Sequence, residues 1–402
     1  MLLGVLGAAV GGQLNRAIYR WAWNQRSISP WSAAPASAPR RTWMDCLPIV
    51  GWWCLRRESK IHGSAFWIRP MLIEFVVALG LPVLYYWEMQ GSQLPAVFVP
   101  PPPALFPSLL ATFCANAVLL ALMIVATFID IDEKTIPDFI TVPGTLIALS
   151  LAILLPDSLL PVMRAAPPSP GPILLTTPSA WAPALTGVNG LVAALACWFG
   201  WCYALLPKTI YTRRGIAKAV RYLIASTLRH RLSKWIGAMS LLGTVVIVGV
   251  WNLAGAPWQT LLSSLVGLAF GGGLVWAIRA VSGYVLGVEA MGFGDVTLMA
   301  MIGAFLGWQA AMMTFFLAPF TSLLIAVSQW LMTGRRDIPF GPFLCAAAGI
   351  VMVGWGVIWA RWGLIFSLGI FIPLIVVAAI AMMGVMLALL QLVKRLLGSQ
   401  AA

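Results

Sequence analysis

Runs of about 20 residues without a charge recur along this chain, and an apolar helix of that length crosses a bilayer core. Lipid offers no water to satisfy backbone N–H and C=O groups, so such runs must fold as helices. The length, 402 residues, would suit two or three soluble domains, but composition excludes them. Apolar residues make up 61% of the chain and charged residues 9%, where a soluble domain carries roughly 25%. The predicted fold is an all-α polytopic integral membrane protein with about 9–11 transmembrane helices. The spans read as 2–19, 70–87, 105–129, 139–156, 181–206, 236–254, 261–287, 296–308, 309–332, 341–360 and 364–393. The segment at 296–308 is short and is read as one arm of a hairpin with its successor.

The net charge of +13 suggests nucleic acid until its placement is considered. Eight Lys and Arg residues lie between Arg20 and Arg69, and eight more between Lys208 and Lys234 with no acidic residue among them. Each group borders apolar spans, as the positive-inside rule requires of cytoplasmic loops. The basic groups therefore report topology, with anionic lipid headgroups as secondary partners. No nucleic-acid partner is expected. This orientation puts the N-terminus outside and the C-terminus inside. No basic residue precedes the first segment, MLLGVLGAAVGGQL, and Arg16 and Arg20 follow it, so a cleaved signal peptide is not expected.

The Pro-rich loops 88–104 and 157–180 fall outside and read as extended linkers. The inside segment 20–69 reads as a small cytoplasmic subdomain against the membrane face. Six cysteines form no repeated C-x-x-C pair, so neither a disulfide framework nor a metal site follows from their spacing.

With twelve acidic residues in the chain, each can be weighed singly. Asp45, Glu58, Glu88, Asp157 and Asp337 fall in predicted loops, where a carboxylate needs no special account. The others gather at Glu74, in the run ATFIDIDEKTIPDFITVPG from Asp130 to Asp138, and at Glu289 with Asp295 in GVEAMGFGDVTLMAMIGAFLGW. Carboxylates at span ends are costly and point to function, against the plainer reading of interfacial charges. Asp130 closes an apolar span, and Pro137 with Asp138 opens the next, Pro being suited to a first helical turn. Gly292 and Gly294 flank Phe293 just before Asp295, and glycines there let another backbone come close to the carboxylate. Both aspartates fall on the cytoplasmic side. Two facing carboxylates share one proton, the ionised member serving as general base and the protonated one as acid. Which aspartate holds the proton is a property of the pair.

The run F-I-D-I-D-E-K-T-I-P-D, Phe128 to Asp138, resembles the first catalytic segment of the bacterial prepilin peptidases, or type IV leader peptidases. The run from Glu289 to Trp308 is similar to their second segment, which carries the G-x-G-D motif of intramembrane aspartyl peptidases. The resemblance extends to G-G-Q-L-N-R-A-I-Y-R (Gly11 to Arg20), to D-C-L-P-I-V-G-W with Arg69 to Glu74, and to I-P-F-G-P-F (Ile338 to Phe343). It implies that Asp130 and Asp295 are catalytic and that Gly292, Gly294, Pro137, Asp138 and Glu289 support the site or bind substrate. Where the family carries Lys two residues past the second aspartate, this chain has Thr297.

The family's first cytoplasmic loop often holds two C-x-x-C pairs suited to zinc. Here that region has Cys46 and Cys54, so no metal is expected. Some relatives also methylate the new N-terminus with S-adenosylmethionine. The motifs quoted leave that activity open, and peptide cleavage needs no cofactor. The resemblance divides the chain into 1–104 (N-terminal membrane segment and loop 20–69), 105–180 (first aspartate segment), 181–260 (inserted helices with a basic loop) and 261–402 (G-x-G-D segment and C-terminal helices). The insertion reads most simply as carrying no chemistry, and otherwise as a docking surface for substrate or the pilus assembly machinery.

The implied function is endopeptidase removal of the short basic leader from prepilin or pseudopilin-like precursors, at the bacterial inner membrane, in type IV pilus or type II secretion systems. Glu289, Asp132, Glu133 and Asp138 are candidates to meet the leader's basic residues. The competing class is a secondary transporter coupling protons through the same aspartates. Its site belongs near mid-membrane, whereas both aspartates are predicted at the cytoplasmic edge.

Overall fold

The computed structural model describes residues 2–26, 28–32, 34, 38–94, 101–165, 168–206, 231–287, 291–333, 339–369 and 371–398. Its principal elements are α1 (Leu2–Trp21), α2 (Ile68–Met89), α3 (Phe106–Glu133), α4 (Asp138–Leu154), β1 (Pro161–Ala165), β2 (Pro168–Pro172), α5 (Val188–Leu205) and α6 (Arg231–Leu253). The chain continues through α7 (Gly255–Leu286), α8 (Phe293–Thr333), α9 (Gly341–Val353), α10 (Trp355–Trp362) and α11 (Phe371–Gly398). Among the described residues, seven helices are long and apolar enough to cross a membrane, and eight if the bent pair from Gly341 to Leu368 is one span. The shorter α4 and the more polar α1 pack alongside them. The fold is that of an α-helical polytopic membrane protein.

Small residues bring the helices together, since lipid supplies no hydrophobic drive between them and backbones must approach closely to gain dispersion energy. α8 is the most enclosed span, and α7 runs along it. Gly267 and Gly303 meet face to face, each so near the other's carbonyl that neither position has room for a Cβ. Gly271 repeats the contact one turn on, where a Cβ would lie 2.5 Å from the Met299 carbonyl oxygen. Gly267→Leu is expected to force the two helices apart at a cost of about 3 kcal/mol. The measurement is thermal unfolding in detergent; an unchanged midpoint would contradict the close crossing. At the other end of the bundle α1 packs on α2 the same way, with Gly7 against the Val77 carbonyl and Gly11 against Glu74.

Residues 296–308 and 309–332, read as two segments, fall on two helices that run together in α8 across a kink: Gly307, beside the expected boundary, takes the non-helical φ 83° and ψ 166°. The loop 157–180, read as an extended linker, differs more. Its strands pair antiparallel from Pro161↔Pro172 to Ala165↔Pro168, and Leu159, Leu160, Val162 and Ile173 are buried. Helical side chains satisfy its backbone: the indole N–H of Trp308 donates to the Leu175 carbonyl at 2.9 Å and that of Trp355 to Pro161 at 3.0 Å. The hairpin thus wedges the middle of α8, well away from its Phe293 end.

Segment 20–69 does contain compact short helices, and its acidic residues are not solvated. Asp45 and Glu58 are fully buried, paired with Arg57 and Arg41 respectively. Glu88, also read as a loop charge, is buried at the end of α2 and accepts from the Asn116 side chain at 2.8 Å. Glu74 ties this segment to the bundle: its carboxylate accepts from Asn15 (3.1 Å), from the Trp52 indole (2.8 Å) and from the Ile49 backbone (2.5 Å). Three donors compensate the burial of that carboxylate.

Burial alone would raise the Asp45 carboxyl above its ordinary value of 3.8, but the Thr42 backbone N–H and the Arg57 guanidinium outweigh it and hold the group below that value. A depressed folded-state value means the stabilisation is present above pH 3.8 and is lost as pH falls through the folded value. Acid below pH 3.8 is therefore expected to loosen segment 41–62, read as faster limited proteolysis there. In Asp45→Asn this acid step should be missing.

Candidate active site

Asp130 lies in the last turn of α3, on the side of the helix that faces the bundle: Ala126 and Ile129 are fully buried and Asp130 is 3% exposed, while Ile131 is exposed. The helix stops at Lys134, whose left-handed conformation (φ 55°) returns its N–H to the Asp130 carbonyl at 2.8 Å. Residues 135–137 then leave as an extended link. Pro137 occupies the N-cap of α4 with φ −68° and ψ 135°, one position before the helical turn in which the sequence suggested it. Its fixed φ suits that extended cap. The link turns Ile136 inward until it is 8% exposed.

Asp295 is the third residue of α8, and its carboxylate turns back to accept the Gly292 N–H at 3.2 Å. An acidic side chain reaching back over the first turn caps the helix and lies at the positive end of its dipole. The two flanking glycines do different work. A Cβ on Gly294 would lie 2.9 Å from the Ile136 Cβ and 3.1 Å from its carbonyl oxygen, so Gly294 makes room for this chain's own link between α3 and α4. Over Gly292 a Cβ would meet nothing nearer than 3.8 Å, so there the approach stays open. The sequence reading had both glycines support the site or bind substrate; at Gly294 the backbone that comes close is this chain's own, and at Gly292 the space is open.

A third segment completes the site. Gly341 opens α9 with its backbone N–H facing the Asp130 carboxylate, and a Cβ there would lie 2.5 Å from the Asp130 Oδ2 and 2.8 Å from the Ile136 Cδ1. Ile136 is therefore the pivot: the Asp130 link, the G-x-G-D turn and the start of α9 all close on one aliphatic side chain. Sequence reasoning missed it because an isoleucine in a short polar turn carries no chemical signal. Gly341 was within reach, since it sits in the I-P-F-G-P-F run.

Asp130 and Asp295 line one cleft of about 1220 Å³, walled by Trp21, Trp23, Met291, Phe293 and Phe340. Of the acids expected to receive basic residues, two already have partners within the chain. Asp132 pairs with Arg69 at 2.7 Å, and Glu133 accepts the backbone N–H groups of Trp23 and Asn24 at 2.6 Å each. These contacts fasten the segment after α1 beside the cleft. Asp138 also lines it, against the Thr297 hydroxyl. Glu289 lies outside the described residues. Thr297 is buried and joins the two halves, accepting from Thr141 at 3.0 Å and donating to the Gly294 carbonyl at 3.1 Å. Two buried carboxylates lining one cleft, each beside a backbone N–H, form an arrangement suited to sharing a proton through a water.

The model for the type IV leader peptidase family matches residues 221–327, and the model for the bacterial A24 peptidase N-terminal domain matches residues 5–89. A prepilin leader peptidase/N-methyltransferase of Pseudomonas putida is 34% identical over 122 residues, covering 28% of this chain and 41% of that protein. One from Burkholderia pseudomallei is 29% identical over 177 residues, 43% of this chain and 50% of that protein. One from Myxococcus xanthus is 28% identical over 152 residues, 38% of this chain and 40% of that protein. The chain thus spans half or less of the length of these curated relatives. No solved structure matches it. Asp295 falls within the peptidase match, while Asp130 falls between the two matches, so its place in the site rests on its own motif and on the shared cleft. An N-terminal and a peptidase match thus lie in order along one polytopic chain, which over those residues is similar to the type IV leader peptidases.

Proposed function

We propose that this protein is an intramembrane aspartyl endopeptidase that removes the short basic leader of prepilin or pseudopilin-like precursors at the cytoplasmic face of the bacterial inner membrane. The observation that carries this reading is the single cleft lined by both Asp130 and Asp295. The ionised carboxylate takes a proton from a water between them, and the water oxygen attacks the scissile carbonyl carbon. The protonated partner donates to the carbonyl oxygen. As the C–N bond breaks, the pair returns a proton to the leaving amine. Cleavage needs the bond to lie where a cytoplasmic leader meets a membrane helix, which suits a cleft at the end of α3 and the start of α8.

S-adenosylmethionine enters only with methyl transfer, the second activity in the relatives' names. In the N-terminal half, a 380 Å³ pocket is lined by Arg16, Arg20 and Arg26 with Tyr19, Gln25 and Ser29. Three guanidiniums suit a carboxylate, but no acidic side chain lines that pocket to pair with a sulfonium or an ammonium. The residues of that pocket do not fit the group, and no step is derived through it.

Reconstituted protein is expected to cut a precursor once, between its basic leader and its apolar helix, giving two fragments whose masses sum to precursor plus one water. Mass spectrometry checks this. A precursor left intact after long incubation in proteoliposomes would count against the peptidase reading.

A further inference from the structure

The chemistry of the cleft leaves the 380 Å³ pocket of Arg16, Arg20 and Arg26 without a role. Arg16 and Arg20 stand one turn apart on the exposed face of α1. The turn that follows is closed by the Arg26 N–H on the Tyr19 carbonyl at 3.1 Å, and it brings Arg26 back beside them. The far wall is Ser29, whose carbonyl accepts from the Arg41 guanidinium, itself paired with the buried Glu58. The folded segment after α1 therefore holds the pocket in shape.

Two observations say what the pocket takes. First, its charge is unopposed. Among the described residues none of the three guanidiniums has a carboxylate partner, whereas Arg41, Arg57 and Arg69 are paired with Glu58, Asp45 and Asp132. Like charges four apart on a helix repel. The helix dipole favours a cation in the last turn of α1, which accounts for Arg20 but not for three guanidiniums about one space. A phosphate offers oxygens to more than one planar guanidinium fork and relieves that repulsion. Second, the exposed residues of α1 form one stripe: Leu2, Val5, Leu6 and Ala9, then Gln13, then Arg16 and Arg20. Spacings of three and four keep them on one face. The face is thus apolar for two turns and cationic at its far end. From Leu6 to Arg16 is ten residues, about 15 Å of helix, and one leaflet of a bilayer core has that depth.

We propose that this pocket holds the phosphate headgroup of one anionic phospholipid, whose acyl chain lies along the apolar part of the α1 stripe. A free phosphate would use the guanidiniums and leave the stripe unused. A zwitterionic lipid would use the stripe but bring a further cation to three that are already unopposed. Gln25 lines both this pocket and the cleft, so the headgroup sits against the segment that Glu133 fastens beside the two aspartates. The assignment does not depend on the peptidase reading.

The test titrates the full chain in detergent with phosphatidylglycerol, phosphatidylcholine or inorganic phosphate, and counts the molecules retained by native mass spectrometry. Wild type is expected to retain one phosphatidylglycerol about 10-fold more tightly than phosphatidylcholine. Inorganic phosphate at the same concentration should not displace it. Arg16→Gln with Arg20→Gln is expected to abolish that preference. Arg361→Gln, which removes an exposed arginine of α10 outside the pocket, should keep it. Should the double variant fail to fold, Arg26→Gln, beyond the end of the helix, must still weaken the preference. Equal retention of the two lipids by wild type overturns the assignment, as does a double variant, or an Arg26→Gln protein, with the wild-type preference. Displacement by inorganic phosphate would make this a site for a free anion and overturn the lipid assignment too.

Discussion

Asp130→Asn and Asp295→Asn are each expected to lower the rate of leader cleavage by about 10²–10⁴-fold, the range carried by a positioned general acid or base. Asparagine preserves shape, and its amide oxygen can still accept the Gly292 N–H that now meets Asp295 at 3.2 Å. The loss is therefore one of proton transfer and not of folding. Because the two carboxyls act as a unit on one water, the double variant should fall no further than the worse single one. Losses that multiply in the double variant would mean that the aspartates serve separate steps.

Gly341→Val carries the second large effect. The added atoms would enter space already held by the Asp130 Oδ2 at 2.5 Å and the Ile136 Cδ1 at 2.8 Å. Ile136 cannot retreat, since the Gly294 backbone lies against its other side. The carboxylate is the group that yields, and a displacement of about 1 Å costs on the order of 10²-fold in rate. Overpacking at one helix start should cost only about 1–3 kcal/mol of stability, leaving the fold intact. Rates and unfolding midpoints measured on the same detergent preparation separate the two effects. A Gly341→Val enzyme cutting at the wild-type rate would mean that α9 does not abut Asp130.

The chain's charge economy explains what could be read from its sequence. In a chain so poor in acidic residues, Asp130 and Asp295 stand out, and the runs around them supply the motif. The same economy misleads elsewhere. Asp45 and Glu58 look like loop charges because their partners, Arg57 and Arg41, lie 12 and 17 residues away, and pairing across such a gap leaves no local trace. Glu88 is hidden for the same reason, with Asn116 28 residues on. The segment 161–172 reads as a linker because Pro161, Pro168, Pro170 and Pro172 lack ladder donors, although a two-stranded hairpin has outward edges where proline is tolerated. The sequence reading put a boundary at 308/309, beside the non-helical Gly307, but a run that is apolar on both sides gives no angle between its halves. Ile136 had no signal at all: its role is to fill the space that two distant glycines leave for it.

The most direct test of the central claim measures binding and cleavage of one labelled precursor side by side, with wild type and Asp295→Asn in the same proteoliposomes. If the carboxyls perform chemistry in a cleft that is otherwise intact, the variant binds the precursor within about 3-fold of wild type while product formation falls about 10²-fold or more. Product appearing at the wild-type rate from the variant would contradict the account.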